Sequence, residues 1–178
     1  MRNVVAYELL SLDGVAEGPD DFITNWDEAM DENLGRTIGS QDAVLLGRRT
    51  FDEWAQFWPA SDIQPFSAFI NKTQKFVATS KPLDNEWSNS TVIDGDLVTF
   101  VTDLKQQPGG DIGVHGSIDL MQSLLEQDLV DELRLVIAPS LQMRGRRLFE
   151  RGTRQRLSVH RSITSPTGYL LVDLRFER

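Results

Sequence analysis

The sequence predicts an α/β domain in three layers, with a mostly parallel central sheet flanked by helices and closed by an antiparallel C-terminal hairpin. Three observations predict it. Apolar runs at residues 4–12, 42–46 and 111–114 each end at a glycine-containing turn and lead toward a segment of helical period. Two further runs, 157–163 and 169–176, flank Ser165-Pro166-Thr167-Gly168, a tight-turn composition. No repeat, low-complexity stretch or linker divides the 178 residues, so a single domain spanning 1–178 is expected.

The elements follow in order. Residues 4–12 read as a strand that stops at Asp13-Gly14, and an acidic loop with Gly18-Pro19-Asp20-Asp21 comes next. Residues 26–38 read as a helix, because Trp26, Met30, Leu34 and Ile38 fall on one stripe; Asn25 is the candidate N-cap. A strand at 42–46 turns through Gly47-Arg48-Arg49-Thr50 into a helix-like stretch at 51–57. Residues 76–78 form a short strand ending in Thr79-Ser80-Lys81-Pro82, whose proline blocks continuation. Residues 90–93 are another candidate strand, and 96–107 a helix stopped by Pro108-Gly109-Gly110. The strand at 111–114 passes through His115-Gly116-Ser117 into a helix at 118–126, whose Ile118, Met121, Leu124 and Leu125 share a face. In residues 131–138, Leu133, Leu135 and Ile137 alternate with their neighbours.

Composition removes several function classes. With no cysteine there are no disulfides, thiolate zinc sites or cysteine nucleophiles, and the zinc-deaminase pattern is excluded. Two histidines, His115 and His160, are too few for most histidine-based metal sites, so no metal is expected. The net charge of −9 and an isoelectric point of about 4.7 argue against a nucleic-acid partner. Met1-Arg2-Asn3 leads directly into Val4-Val5-Ala6, with no apolar leader, so neither export nor a membrane span is expected and the location expected is cytoplasmic.

An anion on so acidic a chain needs a local positive feature. Gly47-Arg48-Arg49-Thr50 supplies one: a tight turn into a helix whose free N–H groups attract an anion, with two guanidinium groups and a hydroxyl. Taken alone, it reads first as a surface turn with solvated arginines; paired arginines in an acidic chain shift the balance toward a phosphate site. Val114-His115-Gly116-Ser117 repeats the logic, without the Gly-x-Gly-x-x-Gly fingerprint of dinucleotide sites. Ser11-Leu12-Asp13-Gly14 closes the first strand; Asp13 is either a substrate-orienting or proton-relaying group or part of a plain turn. Ser80 and Lys81 could hold a phosphate or belong to a polar loop. Arg144-Gly145-Arg146-Arg147 reads as a solvated loop, and Trp26, Trp54, Trp58 and Trp87 as core or interface residues. Ligands of open α/β sheets lie beyond the carboxyl ends of the strands, where these turns would meet.

In order and spacing, these segments resemble the dihydrofolate reductase-like superfamily, and within it the reductase domain of bacterial riboflavin-biosynthesis deaminase-reductases in a stand-alone form. The resemblance spans nearly the whole chain. It rests on Ser11-Leu12-Asp13-Gly14, on residues 43–51, on Pro108-Gly109-Gly110-Asp111-Ile112 and His115-Gly116-Ser117, on Leu129-Val130-Asp131-Glu132-Leu133, and on Pro139 through Arg147-Leu148-Phe149. It implies NADPH bound across the strand ends, with Gly47, Arg48, Arg49 and Thr50 over the phosphates and Ser80 and Lys81 near the adenosine 2′-phosphate. Gly116, Ser117, Ile118 and Asp119 would serve the pyrophosphate, and the nicotinamide would lie near the first strand. It also implies a homodimer and an activity like 5-amino-6-(5-phosphoribosylamino)uracil reduction, with Asp13 as the catalytic residue.

Departures from the pattern are His115 in place of a glycine, Val15 in place of a basic residue, and no counterpart of the arginines that hold the substrate's ribose phosphate. Asp27 and Glu28 lie near where dihydrofolate reductases carry the carboxylate that faces the pteridine. The expected function is an NADPH-dependent reductase acting on C=N or C=O of a small heterocyclic or ribosyl substrate. The other classes are a non-catalytic ligand-binding dimer that kept the fold and a flavin-binding protein.

Overall fold

In the computed structural model, which describes residues 1–177, eight strands form one sheet in the order β4-β3-β2-β5-β1-β6-β8-β7. The strands are β1 (Val4–Ser11), β2 (Gln41–Gly47), β3 (Gln74–Ala78), β4 (Ser90–Val92), β5 (Asp111–His115), β6 (Glu132–Ala138), β7 (Leu157–Thr164) and β8 (Leu170–Phe176). Those from β4 to β6 pair in parallel; β8 pairs antiparallel with β6 and β7. The closing turn is fixed by Ser165 and Gly168, whose N–H groups donate to Tyr169 O (2.8 Å) and Ser165 O (2.9 Å), with Gly168 at φ 94°.

The helices are α1 (Glu28–Ile38), α2 (Arg48–Phe57), α3 (Phe66–Lys72), α4 (Leu97–Gln106) and α5 (Ile118–Glu126). They divide between the two faces of the sheet. Val101 and Leu104 of α4 join Leu120, Met121 and Leu124 of α5 over Val4, Ala6, Leu10 and Val114. Met30, Leu34, Phe51, Ala55, Phe66 and Ile70, from α1, α2 and α3, pack with Tyr7, Val44 and Leu46 on the other face. A strand covered on both faces needs apolar side chains at every position, which is why β1 and β2 read as continuous runs rather than alternating ones.

Local chemistry moves two helix starts, and the structure adds one short helix. Helix α1 begins two residues later than its apolar stripe suggests, since Asp27 is the N-cap and Asn25 is not. The Asp27 carboxylate accepts from Met30 N–H (3.0 Å), Thr167 N–H (3.0 Å) and Thr167 Oγ1 (2.6 Å), bonds that hold its pKa down at about 2, Thr167 Oγ1 foremost. Helix α2 begins at Arg48 rather than at residue 51, so Arg48, Arg49 and Thr50 form its first turn. Helix α3 has no clear sequence signal: it is only seven residues long and follows Pro59 and Pro65.

Candidate functional site

Because β1, β2 and β5 run parallel, their carboxyl ends at Ser11, Gly47 and His115 open on the same edge of the sheet. A cleft of about 1050 Å³ lies there, large enough for a cofactor and a small substrate together.

One end of the cleft is made of backbone. Gly47 is the N-cap of α2 and Ser117 that of α5, so the unpaired N–H groups of two helices lie side by side. Ser117 joins them: its Oγ accepts from Gly47 N–H (2.9 Å) and donates to Thr50 Oγ1 (2.9 Å). A Cβ on Gly47 would sit 3.4 Å from that hydroxyl and 3.8 Å from the Leu120 Cβ, so a methyl just fits and a larger side chain would meet Ser117. Gly116, at φ 68°, makes the turn into α5.

Cations frame this end. Arg48 is held by Asp52 (2.7 Å), Asp84 (2.5 Å) and Pro82 O (2.7 Å), which ties the start of α2 to the loop after β3. Arg49 has a side chain 77% exposed and pairs with Glu53, one turn on. Arg146 grips both oxygens of Asp119 at 2.5 and 3.2 Å, a bidentate pair that holds the Asp119 carboxyl below its ordinary range.

The other end is made of side chains. Tyr7, Trp26, Asp31, Trp54, Trp58 and Phe66 line it. Trp26 Nε1 donates to Asp31 Oδ1 (2.7 Å). Trp58 and Phe66 stack edge to face with ring centres 4.8 Å apart. His115 closes the wall, its Nε2 2.8 Å from Gln41 Oε1 and its ring against Phe66 and Phe69. Burial pushes the His115 pKa down to about 3, so the imidazole is neutral. The pair passes over Gly113, where a Cβ would collide with Gln41 Oε1 and lie 2.8 Å from His115 Nε2.

Between the two ends sits Glu8. It is 2% exposed, faces the cleft from β1, and accepts the backbone N–H of Gly116; its Oε1 finds no partner among the described residues. Burial raises its pKa to about 8. No group of three metal-ligating side chains occurs among the described residues, and none of their helices is long and apolar enough to cross a membrane.

The structure gathers Gly47, Arg48, Arg49, Thr50, Gly116, Ser117, Ile118 and Asp119 on the cleft wall. Ser80 and Lys81 stand outside it, although Arg48 Nη1 lies 3.5 Å from Lys81 O, so that segment borders the polar end. Asp13, the expected catalytic residue, lies beyond the cleft lining. Its carboxylate accepts from Ser11 Oγ (2.7 Å), Gln142 N–H (3.0 Å) and Met143 N–H (2.9 Å), and Arg147 donates to its carbonyl (3.0 Å). Those bonds, Ser11 first, hold it far below the usual carboxylate range and make it a clip between β1 and residues 142–147.

Three further expectations change. The solvated loop 144–147 places Arg146 on the wall; Trp26, Trp54 and Trp58 line the cleft, leaving only Trp87 in the core; and Asp31, not Asp27 or Glu28, is the α1 carboxylate that faces it. Glu8 carried a readable signal, an acid inside an otherwise apolar run. Asp31 carried one too, three residues before Leu34 on the same helix; for Arg146, in a loop, no local pattern marked which way the side chain would point.

The family described as the RibD C-terminal domain matches residues 2–171. The chain belongs to this family. It is 30% identical over 156 residues to the uncharacterized protein YyaP of Bacillus subtilis strain 168, covering 83% of this chain and 80% of that protein. Its fold superposes on a protein named for riboflavin biosynthesis from Shewanella sp. PV-4 with a TM-score of 0.79, at 21% identity and 99% coverage of both chains. Dihydrofolate reductase from Enterococcus faecalis, complexed with NADP(H) and RAB-propyl, gives a TM-score of 0.62 at 12% identity, covering 99% of this chain and 97% of that one. The chain thus has the dihydrofolate reductase-like fold and belongs to the RibD C-terminal domain family.

Proposed function

We propose that this protein is an NADPH-dependent reductase that acts on a C=N or C=O group of a small planar heterocycle, of the class to which 5-amino-6-(5-phosphoribosylamino)uracil belongs. One observation carries the reading: Ser117 joins the amino ends of two helices into a single anion-binding rim at one end of a cleft whose other end is aromatic. The residues present fit a nicotinamide dinucleotide. Gly47 leaves room for close backbone approach, the first turns of α2 and α5 offer donors for phosphate oxygens, and Arg48, Arg49 and Arg146 offset their charge. Ser80 and Lys81 would serve the 2′-phosphate from the border of the polar end, where Lys81 O lies 3.5 Å from Arg48 Nη1.

The bound cofactor supplies the hydride. The chain's own residues position and enclose. Trp54, Trp58 and Phe66 give a flat ring its apolar walls, Asp31 offers an acceptor for its N–H groups, and neutral His115 closes the floor without adding charge. Titration calorimetry with NADPH and NADH tests the cofactor: binding at micromolar or tighter concentrations is expected, and no heat with either overturns the reading. NADPH oxidation across a panel of pterins and of ribosyl- and ribityl-aminopyrimidines tests turnover; binding without oxidation of any of them assigns the protein to the non-catalytic class.

A further inference from the structure

We propose that Glu8 is the proton donor of this cleft: its carboxyl is neutral beside a reduced nicotinamide, gives its proton to the substrate as the hydride leaves, and remains as the carboxylate that balances the oxidised ring. The inference rests on the nicotinamide reading above and adds to it a residue and a charge balance.

The geometry comes first. Glu8 lies midway along β1, on the face that carries Val4, Ala6 and Leu10 beneath α4 and α5, yet it reaches the cleft wall. One lone-pair direction is taken by the Gly116 N–H, while Oε1 has no partner among the described residues. A buried carboxyl oxygen left without a partner is costly, and a ligand group in the cleft would relieve that cost.

No charged side chain explains the raised pKa; burial does. On the helices over this face, Asp103, Asp119 and Glu126 occupy exposed positions and Lys105 pairs with Asp131 at 2.6 Å. On the neighbouring strands, His115 contacts Tyr7 and Phe66 on the opposite face, and Glu132 pairs with Arg134 and Arg175. Among the cleft's other titratable groups, Asp31 accepts from Trp26, Glu17 in the loop after β1 from the Arg146 N–H and Glu53 pairs with Arg49, while Arg146 holds the Asp119 carboxyl below its ordinary range and burial keeps His115 neutral. With a pKa near 8, Glu8 keeps a proton at neutral pH.

Reduction of C=N or C=O puts a hydride on carbon and a proton on the heteroatom. The hydride comes from a reduced nicotinamide, the π pair moves to nitrogen or oxygen, and that atom takes the proton from Glu8. A neutral ring and a neutral acid become a cation and a carboxylate, so charge is conserved in the cleft, and water re-protonates Glu8 after the oxidised cofactor departs.

The test reads protons and needs no substrate. NADP+ and NADPH are titrated into the full chain by calorimetry at pH 7, in phosphate and in Tris, two buffers of different ionisation heat. Wild type is expected to release about one proton on binding NADP+ and none on binding NADPH. Glu8→Gln is expected to bind both with no release. In parallel, the carboxyl carbon resonance that titrates near pH 8 in 13C-labelled wild type should move to lower pH with NADP+, a readout that does not depend on the variant folding. Equal proton release for the two nucleotides, release that persists in Glu8→Gln, or no carboxyl titrating near pH 8 overturns the assignment while leaving the cofactor reading intact. Failure to bind either nucleotide overturns both.

Discussion

The two ends of the cleft are built from different materials. The polar end is backbone: helix N–H groups, Gly47 and Gly116, and one serine hydroxyl between them. The aromatic end is side chains drawn from four separate segments, with Trp26, Asp31, Trp54, Phe66 and His115 far apart in sequence. A phosphate-binding end can be made by any chain that turns tightly there, so its backbone donors fall in two short unbroken runs, residues 47–50 and 116–119. A substrate end must match one shape, and its residues assemble only when the fold does. Within one family, the first end should be shared more widely than the second.

The largest effect should come from breaking the polar end. Gly47→Val drives a branched side chain into Ser117 and separates the two helix ends, and NADPH affinity should fall roughly 100-fold or more, measured by calorimetry, with the fold retained by circular dichroism. Next is Arg49→Ala. If its exposed guanidinium reads the extra phosphate, NADPH binding weakens about tenfold while NADH changes less than about twofold; equal losses would remove that role.

At the aromatic end, His115→Phe strands Gln41 and should cost about 1–3 kcal/mol of stability in urea titrations at pH 7, yet leave NADPH affinity nearly unchanged. The same variant has a pH consequence. The folded His115 pKa, near 3, is below its ordinary 6.5, so the unfolded chain binds the extra proton and wild type loses stability as pH falls from about 6.5 toward 3; the variant should lose that part of the slope. Glu8 runs the opposite way. Its folded pKa, near 8, exceeds the ordinary 4.5, so its contribution is intact below about 4.5 and is lost as pH rises through 8. Glu8→Gln should therefore gain on wild type in urea midpoints between pH 5 and pH 9. The smallest effect on binding belongs to Asp13→Asn, which loosens the clip to Gln142 and Met143: the melting temperature drops, while NADPH affinity stays within about twofold.

The same contrast explains what the sequence reveals. The strand runs, the two glycine turns and the closing hairpin are visible in it because each follows from a local rule: apolar continuity, a tight turn before a helix, a Pro-Thr-Gly corner. Residues 58–73 are not visible, because a seven-residue helix between prolines holds its place through the packing of Phe66 and Ile70 and not through propensity. Asp13 draws attention as an acid at a strand end, but which partner a half-buried carboxylate takes is decided by residues 142 and 143, 129 and 130 positions away. Arg146 is the reverse case, an apparently solvated arginine that the same loop carries to the wall. In an alternating or helical pattern the side chain's direction is legible; in a loop it is not.

The Ser117 hydroxyl has one more consequence. Because a single oxygen bridges the start of α2 to the start of α5, the two helix ends form one stiff bracket and cannot part like jaws. Any widening needed to admit a bulkier guest must then come from the side of α1 and α3, so variants that trade one guest for another should collect at Trp26, Leu34 and Ile63 and leave the bracket untouched.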